Sequence, residues 1–303
     1  MVITIDGREV EIITPEQVLQ LHAIAQLQRL LPQYEATRDP EVFAAIQKYT
    51  DLLPYEDDIP MEDIIHLYQL HLLLELAKNW GLNRSDYFAG GNMFVYYSLQ
   101  QATDIVMGRD TSCRGPDFFI VTGVDGTKFR RRWVVWEEDG KYPDLIIEVL
   151  SPSTADKDKG DKLTVYRDVF RTREYFLYDP NTSEFTGLEW VDGQYEDKPK
   201  NEQGWCWSSV LEGWVGVMYS SFWGRRFNYL RFFYPDGTPV LTDEERAERA
   251  EREAEQAQRQ AEQAQRQAEQ AQREAETERL QREQAQAELE RLRAKLRELG
   301  VEP

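Results

Sequence analysis

Cysteine is almost missing from this 303-residue chain: Cys113 and Cys206 are the only two. They stand far apart, without the CxxC spacing of a zinc or redox site, and are too few for a secreted disulfide scaffold. No run of eighteen uncharged apolar residues occurs, so no membrane-spanning helix is expected. Met1 to Thr14 alternates apolar and charged residues and lacks the basic start and apolar run of a signal peptide. A soluble protein of a reducing cytoplasm is the expectation. Positive charge is also in short supply, with 36 basic against 55 acidic residues and a net charge of -19. Such a field repels phosphate backbones and anionic membranes, so any nucleic-acid function must be local. GxSxG, P-loop, GxGxxG and HExxH signatures are absent, and Gly123-Val-Asp-Gly126 reads as a hairpin turn rather than a phosphate loop.

What is present can fold. A content of 41% hydrophobic and 12% aromatic residues fills a core, and the length suggests roughly two folded units. The clearest boundary lies near Thr242, beyond which aromatics vanish and Ala, Glu, Gln and Arg dominate. There the unit AEQAQRQ starts at Ala254, recurs at Ala261 and returns with one change at Ala268. A single heptad register runs from Ala254 and Ala257 through Ala275, Glu278, Arg282 and Ala285 to Leu289, Leu292, Leu296 and Leu299. This seam predicts a coiled coil over 242–303, held mostly by its leucine end because alanine buries little area. A homo-oligomer or a partner protein joined through that coil is expected, and its order is left open by the Ala-rich seam. The tail carries 12 basic and 17 acidic residues, so -14 of the charge belongs to the body.

Residues 1–60 read as an N-terminal hairpin and helical addition. Val2 to Ile5 and Glu9 to Ile13 flank Asp6-Gly7, and Thr14 to Gln17 forms a capping box opening a helix to about Leu31. Residues 61–241 read as an α/β domain. A helix from Met61 to Trp80 carries the stripe Ile64, Leu67, Tyr68, Leu72 and Leu76. Short β-rich runs follow at Tyr87 to Leu99, Asp117 to Thr122, Trp133 to Glu137, Leu145 to Leu150 and Glu174 to Tyr178. A helix over Asp156 to Phe170 sits between the last two, as in a βαβ unit, and aromatic strands from Phe185 to Phe233 complete the sheet. Pro235-Asp236-Gly237 makes the last turn.

Two phrases place an acid after proline at the mouth of an apolar strand: Pro116-Asp117-Phe-Phe-Ile and Pro143-Asp144-Leu-Ile-Ile-Glu148-Val. Glu148 lies inside its strand, where a charge is costly unless paired or metal-bound. Asp144 faces the same way but about 13 Å off, too far to share an ion, and reads as a polar strand entry. Asp117 comes from another strand and can meet Glu148 across a sheet, as oxygen ligands of a hard cation do.

Together, Pro116-Asp117, Pro143-Asp144 through Glu148 to Ser151-Pro-Ser153, Asp158-Lys-Gly-Asp-Lys162 with Tyr166, and Glu174 through Asp179-Pro180 resemble the Uma family of the PD-(D/E)XK restriction-endonuclease-like superfamily. The likeness spans about Tyr87 to Gly237. Arg231-Phe-Phe-Tyr-Pro-Asp-Gly and the helix after it resemble a coiled-coil-tailed branch. The resemblance implies an α/β (α+β) restriction-endonuclease-like fold, with a four-stranded mixed core sheet flanked by helices. It also implies hydrolysis of nucleic-acid phosphodiesters, DNA foremost, with Mg²⁺ or Mn²⁺ held by Asp117 and Glu148. The superfamily lysine expected two residues after Glu148 is replaced by Leu150. An ammonium must then come from elsewhere, or catalysis is weakened and the domain serves as a binding or assembly module.

The helix after Glu148 offers Lys159 and Lys162 beside its apolar stripe; geometry does not separate them, and the Uma-like pattern favours Lys162 as the third catalytic residue. Asp158, four residues before it, could pair with it. Glu75 is the candidate for the extra helix carboxylate seen in the superfamily. His66 and His71 are five apart, do not share a face as a ligand pair would, and read as capping or partly buried imidazoles. Lys128, Arg130, Arg131 and Arg132 with Trp133 form the body's basic-aromatic cluster, read as a solvated edge that could touch a phosphate backbone.

Overall fold

The computed structural model describes residues 2–5, 8–11, 14–54, 64–82, 84–109, 115–150, 160 and 162–298, which divide into two units, Met1–Thr242 and Asp243–Pro303. The first unit is organised around a six-stranded sheet. Its order is β10 (Gln194–Asp197), β9 (Glu184–Val191), β8 (Glu174–Asp179), β7 (Leu145–Val149), β5 (Phe118–Thr122) and β3 (Tyr87–Gly91). Only the β7–β8 pair of this sheet is parallel. A parallel neighbour needs a crossover, and the described part of that crossover is helix α5 (Leu163–Val165) continuing into a π-helical turn, Tyr166–Phe170. The body is thus a mixed α/β fold of the restriction-endonuclease-like kind, with six strands in the central sheet rather than four.

β7 reads Leu-Ile-Ile-Glu-Val and every residue of it is buried, as expected of a strand covered on both faces. One face carries Leu145, Ile147 and Val149 together with Phe118, Ile120 and Phe176. They pack against α3 (Ile64–Trp80) and against a separate three-stranded sheet, β11 (Cys206–Ser208), β12 (Gly213–Phe222) and β13 (Arg225–Phe233). The aromatic strands after Phe185 therefore do not all extend the central sheet. Beyond β10 the chain folds back over the first face, because the alternation of β12 and β13 supplies a second apolar surface to bury. The other face carries Phe119, Val121, Ile146 and Leu150 and packs against Val165, Tyr166 and Phe170 of the crossover.

A third apolar cluster belongs to the N-terminal helices. The hairpin β1 (Val2–Ile5) and β2 (Arg8–Glu11) precedes α1 (Pro15–Thr37), whose capping box is formed as expected: Thr14 Oγ1 accepts from the Gln17 amide and Gln17 Oε1 from the Thr14 amide. α1 runs six residues past Leu31 because Pro32 is accommodated within it, and it ends at Arg38 in the left-handed conformation. Ile24, Leu27 and Leu30 meet Val42 and Ile46 of α2 (Pro40–Thr50) and Ala102, Ile105 and Val106 of α4 (Leu99–Val106). α4 takes the end of the stretch expected to be strand from Tyr87 to Leu99. That stretch breaks at Asn92, which has a φ of 49°, and resumes only as β4 (Val95–Tyr96), paired in parallel with β6 (Trp133–Val134). β6 is likewise shorter than its apolar run, which turns into a 3₁₀ helix at Val135–Glu137. Gly123 to Gly126 turns the chain without closing a hairpin, since β5 pairs with β3 and β7 instead of β6. Before Thr242, Gly237 at a φ of 84° permits the turn in which the Tyr234 amide donates to Thr238.

Buried polar groups tie these layers together. Gln69 of α3 acts as a surrogate peptide: its Nε2 donates to the Leu230 carbonyl and its Oε1 accepts from the Leu230 amide, both at 2.9 Å. Glu174, fully buried at the start of β8, accepts from Lys198, from the Ser209 amide and from the Ser208 hydroxyl, joining the central sheet to β11. Part of the basic-aromatic cluster is equally internal, although Arg131 is exposed. Arg130 and Lys128 converge on Glu138, and Arg132 donates to the carbonyls of Leu53 and Thr50 at the end of α2. Its side chains at Arg130 and Arg132 are only 3% and 5% exposed, so the expectation of a solvated edge is corrected: those guanidiniums are spent within the fold. The second unit is the 56-residue helix α6 (Asp243–Glu298). Among the described residues, no helix is long and apolar enough to cross a membrane.

Arg132→Leu should lower unfolding stability by about 2–3 kcal/mol, since two helix-end carbonyls lose a charged donor inside the protein. Urea denaturation reads the change, and a loss below about 0.5 kcal/mol would show that water replaces the guanidinium without cost.

Candidate active site

The strand register brings the two acids together. Phe118 of β5 pairs with Ile147 of β7, so the next antiparallel position sets Asp117 opposite Glu148. The Asp117 amide lies 3.5 Å from Glu148 Oε2, and the Val149 amide donates to Asp117 Oδ2 at 2.8 Å. Asp117 stands just before its strand, where its carboxylate is 13% exposed, whereas Glu148 is wholly buried within β7. Asp144, four residues upstream, stays apart from them. Its Oδ2 accepts from both the amide and the hydroxyl of Thr122 at 2.8 Å, which makes it a strand-entry cap.

The crossover helix supplies the ammonium. Lys162 Nζ is 3.0 Å from Glu148 Oε2, and the Tyr166 hydroxyl donates to Glu148 Oε1 at 2.7 Å. Residues four apart lie on one helical face, so a single face of this segment covers both oxygens of the buried carboxylate. The wide π turn begins at Tyr166 itself, a distortion that recurs where a helix must place a side chain. Leu150, where the superfamily lysine was expected, instead packs in the apolar cluster of that face. Lys159 and Asp158 lie outside the described residues.

A third element contributes an imidazole. His66, in the first turns of α3, places Nε2 3.3 Å from Asp117 Oδ2. Burial alone would raise the Asp117 carboxyl, but the hydrogen bond from His66, the Lys162 charge and the Val149 amide outweigh it and hold the group below the ordinary carboxylate range. The reading of His66 as a bland imidazole missed this contact. The reason is the rotation of α3: its buried positions are Gln69, Leu70, Leu72, Leu73, Leu76, Ala77 and Asn79, while Ile64 is 55% exposed. With leucine on nearly every side of the helix, periodicity alone misplaced the core stripe, and His66 is one turn from the buried Leu70. Glu75 is nine residues further on, about half a rotation round the helix and about 13 Å along it from His66. His71 lies over Trp223, with ring centroids 5.1 Å apart.

Among the described residues, no group of three or more His, Cys, Asp or Glu side chains is arranged to hold a metal. That is not a mismatch for a hard cation. Magnesium keeps several waters and commonly takes only one or two protein carboxylates, completing its shell with substrate phosphate oxygens. Asp117 and Glu148 are such an oxygen pair, whereas a zinc site would call for more nitrogen or sulfur.

A mixed sheet with a crossover helix, carrying an aspartate before one strand, a glutamate inside the next and a lysine over both, defines a restriction-endonuclease-like protein. A family model described as Uma2, "Putative restriction endonuclease", matches residues 58–219, more than half of the chain, and the chain belongs to that family. The family gives the body a nuclease-like character at the coarse level. No curated protein matches the chain.

The pairing of Lys162 with Glu148 has a measurable signature. Lys162→Met should cost about 3 kcal/mol of unfolding stability by leaving the buried carboxylate uncompensated. Glu148→Gln combined with Lys162→Met should cost much less than the two single losses summed. Additive losses in denaturant would mean the two groups do not interact.

Proposed function

We propose that the protein is a metal-dependent endonuclease that hydrolyses nucleic-acid phosphodiester bonds, with DNA as the first substrate to test. The observation that carries this reading is the convergence of Lys162 on Glu148 beside Asp117, which supplies from the crossover helix the ammonium that Leu150 does not. Asp117 and Glu148 would hold Mg²⁺ or Mn²⁺, an ion that supplies Lewis-acid stabilisation of phosphoryl charge and lowers the pKa of water. Asp117, held below the ordinary carboxylate range, enters the reaction ionised. Lys162 holds the Glu148 oxygen in place and, 20% exposed, sets a positive charge where a phosphate would approach. Tyr166 fixes the orientation of Glu148 from the dry side, and His66 fixes that of Asp117. Substrate must reach this site against a body charge of -14, a repulsion that added salt screens, so approach of the nucleic acid should ease as salt rises.

Purified protein with Mg²⁺ or Mn²⁺ should cleave plasmid or single-stranded DNA. Glu148→Ala and Lys162→Ala should each lower the rate at least about a hundredfold, and His66→Ala about tenfold. Equal cleavage by all four proteins, or none by the wild type, would sink the reading.

A second role is supported by the heptads of α6: assembly through a coiled coil. Leu289 and Leu292, both on the heptad seam, are 52% and 56% exposed in the single chain, apolar area that association would bury. Replacing Leu289, Leu292, Leu296 and Leu299 by alanine should reduce the mass in solution to that of one chain, while unchanged mass would remove this role.

A further inference from the structure

Resting on that assembly reading, we propose that α6 pairs with α6 of a second copy of this chain, parallel and in register. The argument lies in the residues that flank the seam. With Ala254 as an a position, the g positions include Glu274 and Glu288, and the e positions include Arg279 and Arg293. All four lie on the described helix and are exposed. In a parallel pair each g residue faces the e residue five further along the other helix. Glu274 then meets Arg279 and Glu288 meets Arg293, twice over by symmetry. In an antiparallel pair g faces g and e faces e, which would set glutamate against glutamate and arginine against arginine. The acids and bases of one helix complete each other only across a parallel copy.

The seam itself selects the register. Glu278 and Arg282 occupy a d and the following a position and pair along the helix at 2.6 Å. In the parallel, in-register pair Glu278 faces Glu278 and Arg282 faces Arg282, and each Arg282 knob enters a hole bounded partly by Glu278 of the other helix, which offsets that like-charge pairing. Sliding by one heptad would set Gln272, Gln286 or Gly300 opposite Glu274 and Glu288 and forfeit the flanking ion pairs. In register, Leu289 and Leu292 also pack on their own copies, whereas a slide by one heptad would set one Leu289 against Arg282 and one Leu292 against Ala285.

The test uses the full-length protein in two charge-reversed forms, E274R/E288R and R279E/R293E, each checked for helicity. Wild-type protein should have the mass of two chains. Each reversed form should dimerise about tenfold or more weakly, and an equimolar mixture of the two should pair as well as the wild type, because the reversed flanks then complement each other. A wild-type mass of one chain overturns both this proposal and the assembly reading. A mass of two chains with reversals that leave pairing unchanged or strengthen it leaves assembly standing and overturns the parallel arrangement. A mass of three chains overturns the pair.

Discussion

A charged carboxylate placed in the middle of a fully buried strand is the constraint around which the body is organised. Glu148 cannot stay in β7 without partners, since an isolated ion there would cost far more than the fold's net stability. The structure meets this demand from two directions. The crossover segment presents Lys162 and Tyr166 on one face, and the neighbouring strand brings the Asp117 backbone amide to within 3.5 Å of Glu148 Oε2. The parallel β7–β8 connection is what lays that crossover over Glu148, so the topology of the sheet and the chemistry of the site are one requirement.

The same logic runs through the rest of the body at lower stakes. Glu174 at the other end of the parallel pair is also buried, and it is satisfied by Lys198, Ser208 and Ser209. Its partners all belong to the fold, and the network binds the central sheet to β11. Arg132 does similar work at the end of α2, and Arg130 does so between Glu138 and the Asp125 carbonyl. The difference from Glu148 is access. Asp117 and Lys162, beside Glu148, retain partial exposure, whereas the Glu174 cluster is closed, with Lys198 5% exposed.

Much of this was legible in the amino-acid order. Glu148 declared itself because a charge interrupts a run of β-branched and leucine residues, and Asp117 because it repeats the proline-acid phrase at another strand mouth. The α1 capping box and the long C-terminal helix were equally plain, being local patterns with a fixed spacing. The misses share a cause. α2 and α4 are short, and their apolar residues match only when packed on α1; β4 and β6 are two-residue strands set by their neighbours. His66 was missed because a helix with leucine on most sides has no unique buried face until something packs on it.

The sequence by itself determined the strand that buries Glu148, the identity of the two acids, the absence of a lysine at position 150 and the heptad seam beyond Thr242, because each is written within a few neighbouring residues. Only the tertiary structure decided that Lys162 reaches Glu148, that His66 of α3 reaches Asp117, and that Arg130 and Arg132 of the basic cluster turn inward. Those outcomes depend on helix rotation and on contacts between residues up to about eighty positions apart, which no local spacing encodes.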